Sequence, residues 1–268
     1  VEFRQKALSK LQSPEELDIP VRFARPQGWL VLAVTAVVMG VACFWAVTGS
    51  VSSKVSAPGI LTHAEGSYIL QSPVAGQVTA VFANEGDTLP KGARLLSVRT
   101  SQSAETVRTV AAGRVTSLLA KIGAVVATGA DLATVERIDN PNEPLVAVLY
   151  ASSSSGSTIP VGSSVDLTVQ SVPAQRYGVL RGRVLAVSRI PETRQQITSF
   201  LGSSQLADQF SAQGQPVAVV VQLTRSAGTK SGYKWSSAHG PPYAVDSTTL
   251  ATGAIHLAAQ HPIDWVLP

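Results

Sequence analysis

One stretch of the chain is apolar all round, and most of the sequence beyond it alternates between apolar and polar positions. From Trp29 to Val47, 19 residues run without a charge. At about 1.5 Å per residue this helix spans roughly 28 Å, enough to cross a hydrocarbon core of about 30 Å. Trp29 and Trp45 stand near its ends, where indole rings favour the membrane interface. Arg22 and Arg25 precede it, and only Lys54 follows closely. That bias predicts a single-pass anchor over 29–48 in the cytoplasmic membrane, with the N-terminus inside and the bulk of the chain outside. A cleaved signal fits less well, because its apolar region is shorter, about 7–15 residues. Residues 1–28 read as a cytoplasmic tail. Phe3, Ala7 and Leu11 recur at helical spacing there, and Ser13-Pro14-Glu15-Glu16 has the form of a helix start.

Beyond the anchor the period falls to two. Residues 49–70 read as a membrane-proximal strand segment with a bend at Pro58-Gly59. Residues 71–138 contain one unit twice. Shifted by 37 positions, Gly76 falls on Gly113, Val78 on Val115, Gly86 on Gly123, Gly92 on Gly129, Leu95 on Leu132 and Val98 on Val135. A short repeat of this kind is a unit that cannot bury its apolar face alone. Glu85-Gly86-Asp87 and Pro90-Lys91-Gly92 carry turn chemistry, so each unit reads as strand–turn–strand–turn–strand, with the six glycines as structural turn residues.

The cluster Asp139-Asn-Pro-Asn-Glu-Pro144 marks a domain boundary. Residues 139–225 hold four short alternating runs, at 145–150, 165–169, 180–188 and 217–223, which predict a small β-barrel. Ile197, Leu201 and Leu206 have helical spacing that Gly202-Ser-Ser interrupts, which predicts one or two inserted short helices. Residues 226–268 read as a loop followed by a C-terminal segment, which the resemblance given below implies is membrane-proximal and pairs with residues 50–71.

Composition adds little to this picture. Charged residues are 14% of the chain, hydrophobic residues 45%, and the net charge is +4. No basic cluster is interleaved with aromatics, so nucleic acid is not an expected partner. The single cysteine, Cys43, lies in the apolar run and forms no intrachain disulfide. The four histidines show no zinc-protease spacing, and neither G-x-S-x-G nor a phosphate-loop motif occurs. No catalytic residue, metal ligand or cofactor is expected, and the chain is read as a non-enzyme.

The paired half-motifs resemble a biotinyl/lipoyl-type domain, as used in the barrel-sandwich domain of bacterial membrane-fusion (periplasmic adaptor) proteins of the hemolysin-secretion, HlyD, type. Carriers of that fold hold their cofactor on a lysine between the halves, and 99–108 contains none. The resemblance thus implies a scaffold. Tyr177-Gly-Val-Leu-Arg-Gly-Arg-Val-Leu-Ala-Val-Ser188 is similar to a strand pair of adaptor barrels. Three further strings resemble the secretion proteins of NHLM/NHLP-type bacteriocin export systems. They are Phe3-Arg-x-x-Ala-Leu-x-x-Leu-x-Ser-Pro-Glu-Glu-Leu-Asp18, Ser231-Gly-Tyr-Lys-Trp-Ser236 and Pro262-Ile-Asp-Trp-Val-Leu-Pro268.

The expected fold is therefore mainly β with one N-terminal transmembrane helix. It comprises a lipoyl-like barrel-sandwich hybrid, a small β-barrel and a β-rich membrane-proximal domain. No long helical hairpin is expected, since 100–108 is too short for one. The resemblance implies an accessory subunit of an inner-membrane ABC exporter, assembled as a homo-oligomer of three or six copies around a conduit or cap. Membrane lipid is a further partner, whereas the missing hairpin argues against an outer-membrane channel. Candidate pore-lining tips are Glu85, Asp87, Ala124 and Val125. The alternative is an anchored, envelope-binding structural protein with no transport role.

Overall fold

The apolar run forms the helix α1, Pro26–Thr48, and the rest of the described chain is mainly strand. The structure is a computed structural model that describes residues 26–49, 53–140 and 142–258. The tail helix expected before residue 18, together with Arg22, Arg25 and the final string from Pro262, lies outside those residues. Within α1, an 18-residue window of Gly28–Thr48 has a mean hydropathy of 2.5, and this helix is long and apolar enough to cross a membrane. Trp29 and Trp45 near its ends are both exposed to the surroundings. The hydroxyls of Thr35 and Thr48 donate to the carbonyls of Val31 and Phe44, so neither carries an unpaired donor on the apolar surface.

The body is a second unit. In chain order it opens with β1 (Lys54–Thr62), followed by β2 (Ser67–Gln71), β3 (Gly76–Val81), β4 (Thr88–Leu89) and β5 (Arg94–Arg99). Next come β6 (Ala104–Arg108), β7 (Gly113–Leu118), β8 (Val125–Val126) and β9 (Asp131–Arg137). Strands β10 (Val146–Ala151), β11 (Ser164–Val169), β12 (Leu180–Val187), β13 (Val217–Leu223) and β14 (Thr249–His256) complete it. Short helices α2 (Ser153–Gly156), α3 (Ala174–Tyr177), α4 (Arg194–Leu201) and α5 (Ser204–Ser211) lie between the later strands.

Strands β2 to β9 form a sandwich of two four-stranded sheets, ordered β2-β9-β7-β4 and β6-β5-β3-β8. A shift of 37 residues converts one order into the other, so each sheet takes two strands from each half of the repeat. The repeated residues Val78, Leu95, Val98, Val115, Leu132 and Val135 are all buried in the core between the sheets. Neither half has a sheet of its own, which is the physical reason for the repeat. The unit is longer than expected: it has four strands, with β2 and β6 added. These two strands share no residue at equivalent positions, because each is an edge strand paired with only one neighbour.

The remaining six strands close a barrel in the order β1-β10-β13-β12-β11-β14. Here the expectation of a separate membrane-proximal domain fails. β14 does pair with β1, from Lys54↔His256 to Leu61↔Thr249, but β14 also pairs with β11 and β1 with β10. The four strands of 145–223 cannot close alone, and β1 and β14 supply the missing wall. Nor is there a bend at Pro58-Gly59. Both residues lie within β1, and Pro58 sits just before pairing with β10 begins at Gly59, where its missing N–H is tolerated.

The six-strand barrel has no lumen. Leu61, Leu149, Leu167, Leu180, Val219 and Ile255 fill its interior and are essentially inaccessible. β10 is buried on both faces, hence its unbroken apolar run. Ala147 and Leu149 face inward, while Val146, Val148 and Tyr150 face α4 and α5 outside. Those two helices are the expected insertion. A capping box of Thr193 and Gln196 starts α4, left-handed Gly202 (φ 67°) ends it, and Ser203 caps α5.

Candidate functional site

Three features of the body join segments far apart in the chain: the crossing turns of the sandwich, its joint with the barrel, and the lid over one barrel rim. The crossing turns repeat atom for atom. Gly86 N donates to Val115 O and Gly123 N to Val78 O, both at 2.8 Å; Val115 N and Val78 N return bonds to Asp87 O and Ala124 O at 2.9 and 2.8 Å. Each half is thereby laced to the other, not to itself. Gly86 and Gly123 make this possible at φ 92° and 91°, a left-handed conformation that other residues rarely adopt. Gly92 and Gly129 turn the chain in the same way.

Gly76 and Gly113 are not turn residues, contrary to expectation. They begin β3 and β7 with ordinary φ, and a Cβ on either would overlap the carbonyl oxygen of Arg99 or Glu136 across the sheet. Close backbone approach, not turn geometry, selects glycine there.

The expected tips divide. Glu85, Asp87 and Val125 are exposed, Val125 by 82%. Both carboxylates also hold their turn: Glu85 Oε1 accepts from Leu118 N, and Asp87 Oδ2 from Asn84 N. Ala124 is half-buried against the sandwich core and its carbonyl is engaged by Val78, so it does not present a free tip. The link between the halves is a tight turn, with Thr100 bonded to Ser103, leading directly into β6. It carries no lysine.

The joint between sandwich and barrel centres on Glu136 of β9, which is fully buried. Its carboxylate accepts from Thr62 Oγ1 (3.2 Å), His63 N (3.2 Å) and Ser247 Oγ, and His63 Nδ1 lies 2.9 Å from Oε1. Arg114 of β7 donates to Ser247 Oγ at 2.9 Å. Thr62 and His63 end β1, and Ser247 precedes β14, so one carboxylate ties two neighbouring strands of the barrel to the sandwich. Burial alone would raise this carboxyl's pKa. The bonds from His63 and Ser247 outweigh it and hold the group below the ordinary range. Next to Ser247, Thr248 adopts φ 60°, unfavourable for a β-branched residue, and its N–H bonds to Leu61 O at 2.7 Å. In the repeat, Glu136 is the counterpart of exposed Arg99, which has no barrel beside it. Nothing in the one-dimensional pattern distinguishes this glutamate from a surface one.

The lid is the string around Trp235. Ser231 to Ser237 reads as a loop, yet Trp235 is buried in the barrel core, its indole N–H donating to Ser231 Oγ at 2.8 Å. Tyr233 Oη accepts from Leu145 N at 3.0 Å, and Lys234 N and O bond to Thr224 and Arg181. The string therefore closes the rim where β13 ends and β12 begins. Elsewhere, Asp166 lies between Arg181 and His256 Nε2 on the barrel wall. Among the described residues, no group of three or more His, Cys, Asp or Glu is placed to hold a metal ion.

No family model matches the chain, and no curated protein sequence matches it. Solved structures align with it at low identity. ZneB from Cupriavidus metallidurans aligns at 12% identity and a TM-score of 0.49, over 78% of this chain and 100% of that one. The membrane fusion protein Spr0693 from Streptococcus pneumoniae R6 aligns at 10% and 0.42, over 75% and 98%. The periplasmic adaptor protein EmrA aligns at 8% and 0.39, over 78% and 99%. Membrane fusion and periplasmic adaptor proteins are thus among its structural neighbours.

Proposed function

We propose that this chain is a membrane-anchored adaptor: a non-enzymatic subunit of an ABC-type exporter that builds an extracytoplasmic conduit or cap from several copies. α1 anchors it in the cytoplasmic membrane with the body outside. The exporter supplies ATP hydrolysis, and the cargo is a peptide or another substrate; the resemblance of the terminal strings to NHLM/NHLP-type bacteriocin systems supports the peptide. The observation that carries this reading is a body in which a laced sandwich is inserted between two neighbouring strands of a barrel, joined to an apolar helix. The barrel interior is filled by side chains and its rim closed by Trp235. The barrel itself therefore encloses no passage, which supports a conduit formed between copies; the family resemblance implies three or six of them. Glu85, Asp87 and Val125 are the exposed crossing-turn residues that would face it.

A long helical hairpin is the part by which adaptors reach an outer-membrane channel, and here the halves are joined by the turn at Thr100–Ser103. We accordingly assign this chain to work at a single membrane. The test is extraction of native membranes in mild detergent, capture through a C-terminal tag, mass spectrometry of the eluate and native sizing. Recovery of an ABC exporter in fixed ratio with several copies of the chain is the expected result. Recovery of the chain alone, or with wall polymer only, overturns the export role in favour of an envelope-binding structural protein.

A further inference from the structure

The barrel's two rims differ in what they present. Because neighbouring strands are antiparallel, β10, β12 and β14 end at the rim where β1 begins, and β11 and β13 start there. The sandwich and the Trp235 lid leave from the opposite rim. At the rim of Lys54 emerge two connections, 152–163 and 188–216. The first contains no charged residue, and its Val161 is 67% exposed. It packs beside β12, with Gly162 N bonded to Val184 O and Val184 N to Ser163 O. Leu185 of β12 follows at 54% exposure, and Ile190, in the turn beyond it, at 74%.

Among the described residues, the exposed charges on this rim that lack an opposite partner are cations, while its Asp166 is held by Arg181 and His256. Lys54 and Arg189 are exposed and have no salt-bridge partner among the described residues. Of the two carboxylates in 188–216, Asp208 is paired with Arg194 on the helices and Glu192 is half-buried. Exposed aliphatic side chains flanked by unpaired cations are the composition that seats in an anionic lipid interface. The chain itself also limits how far this rim can be from the bilayer. Only residues 49–53 separate Thr48, the end of α1, from Lys54. Fully extended, that link spans at most about 20 Å.

We propose that the barrel rim formed by Val161, Leu185 and Ile190, with Lys54 and Arg189, is a lipid-docking surface that rests on the anionic headgroups of the membrane α1 crosses. The body is then held to the bilayer at two places, by α1 and by this rim. The proposal rests on α1 as an anchor and not on the export role.

The experiment uses the full chain with Cys43→Ser, incorporated into nanodiscs of phosphatidylcholine and phosphatidylglycerol that carry a shallow spin-labelled lipid. An environment-sensitive fluorophore is placed in turn at Val161→Cys, Ile190→Cys and, as the distant control, Gln102→Cys in the sandwich turn. Quenching about threefold stronger at 161 and 190 than at 102 is expected, because an interfacial surface sits about 5–10 Å into the headgroup boundary. In the Lys54→Glu, Arg189→Glu background that excess should fall. Quenching at 161 and 190 equal to that at 102 overturns the docking surface, whatever copurifies with the protein. Failure of the chain to enter the discs overturns the anchor itself.

Discussion

A methyl group at Gly113 and a methyl group at Gly86 meet different obstacles. At Gly86 a Cβ would enter open space, so Gly86→Ala pays only for its left-handed backbone, about 1–2 kcal/mol. At Gly113 the backbone is ordinary, but the Cβ overlaps the Glu136 carbonyl, and β7 must move away from β9. Gly113→Ala should therefore lower the urea midpoint of the detergent-solubilised chain more than Gly86→Ala does, although Gly86 carries the unusual φ. Equal losses would show that the sheet relaxes freely at the β7–β9 contact. A larger, β-branched residue at Gly86 should cost more than alanine, and it would break the Gly86–Val115 bond that laces the halves.

At the scale of elements, Trp235 is the residue on which the lid turns. Its removal by Trp235→Ala should cost about 3–5 kcal/mol, in the range for deleting a large aromatic from a core. Trp235→Phe should keep most of that and lose mainly the bond to Ser231. Thermal unfolding of the two variants separates packing from hydrogen bonding. The string stands out in the sequence by its composition, but alternation gives no signal for a single buried ring in an irregular loop, so its burial is not legible there. Strands with one wet face are legible, because period two records them directly. The repeat exposes the sandwich core for the same reason: Val78, Leu95 and Val98 recur as Val115, Leu132 and Val135. Edge strands β2 and β6 do not show in the repeat, since each has one neighbour and they share no residue; 67–70 reads as strand, but not as part of the sandwich. The barrel reads as four strands because β1 and β14 lie almost 200 residues apart, and no local pattern records which strands are neighbours. Glu136 gives no sign of itself at all, since burial of a charge is a property of the assembled joint.

At the scale of the whole molecule that glutamate couples the two halves of the body to pH. Its folded-state pKa is depressed, so its contribution is present above the unfolded value of about 4.3 and is lost as pH falls through the folded one. Glu136→Gln should flatten the acid limb of stability below about pH 4 relative to the parent protein, and lower stability at neutral pH. Asp166, half-buried beside His256 and Arg181 and likewise held low, keeps an acid limb of its own in both proteins. Chemical denaturation at pH 3 to 7 reads the difference. Parallel limbs in the two proteins would mean that Glu136 contributes nothing specific to its charge.

The pairing of β14 with both β1 and β11 has a consequence in time as well as in space. A chain made from its N-terminus exposes β1 before any of its partners, and β10 covers one side of it near residue 150, yet β14, which covers the other side, is made only near residue 250. The sandwich, whose strands all fall within 67–137, can close long before. Until the last strand arrives, the barrel is an open sheet with two bare edges, the kind of surface that recruits other strands. Such a body matures from its inserted domain outward, and the step that seals it against its neighbours is also the last.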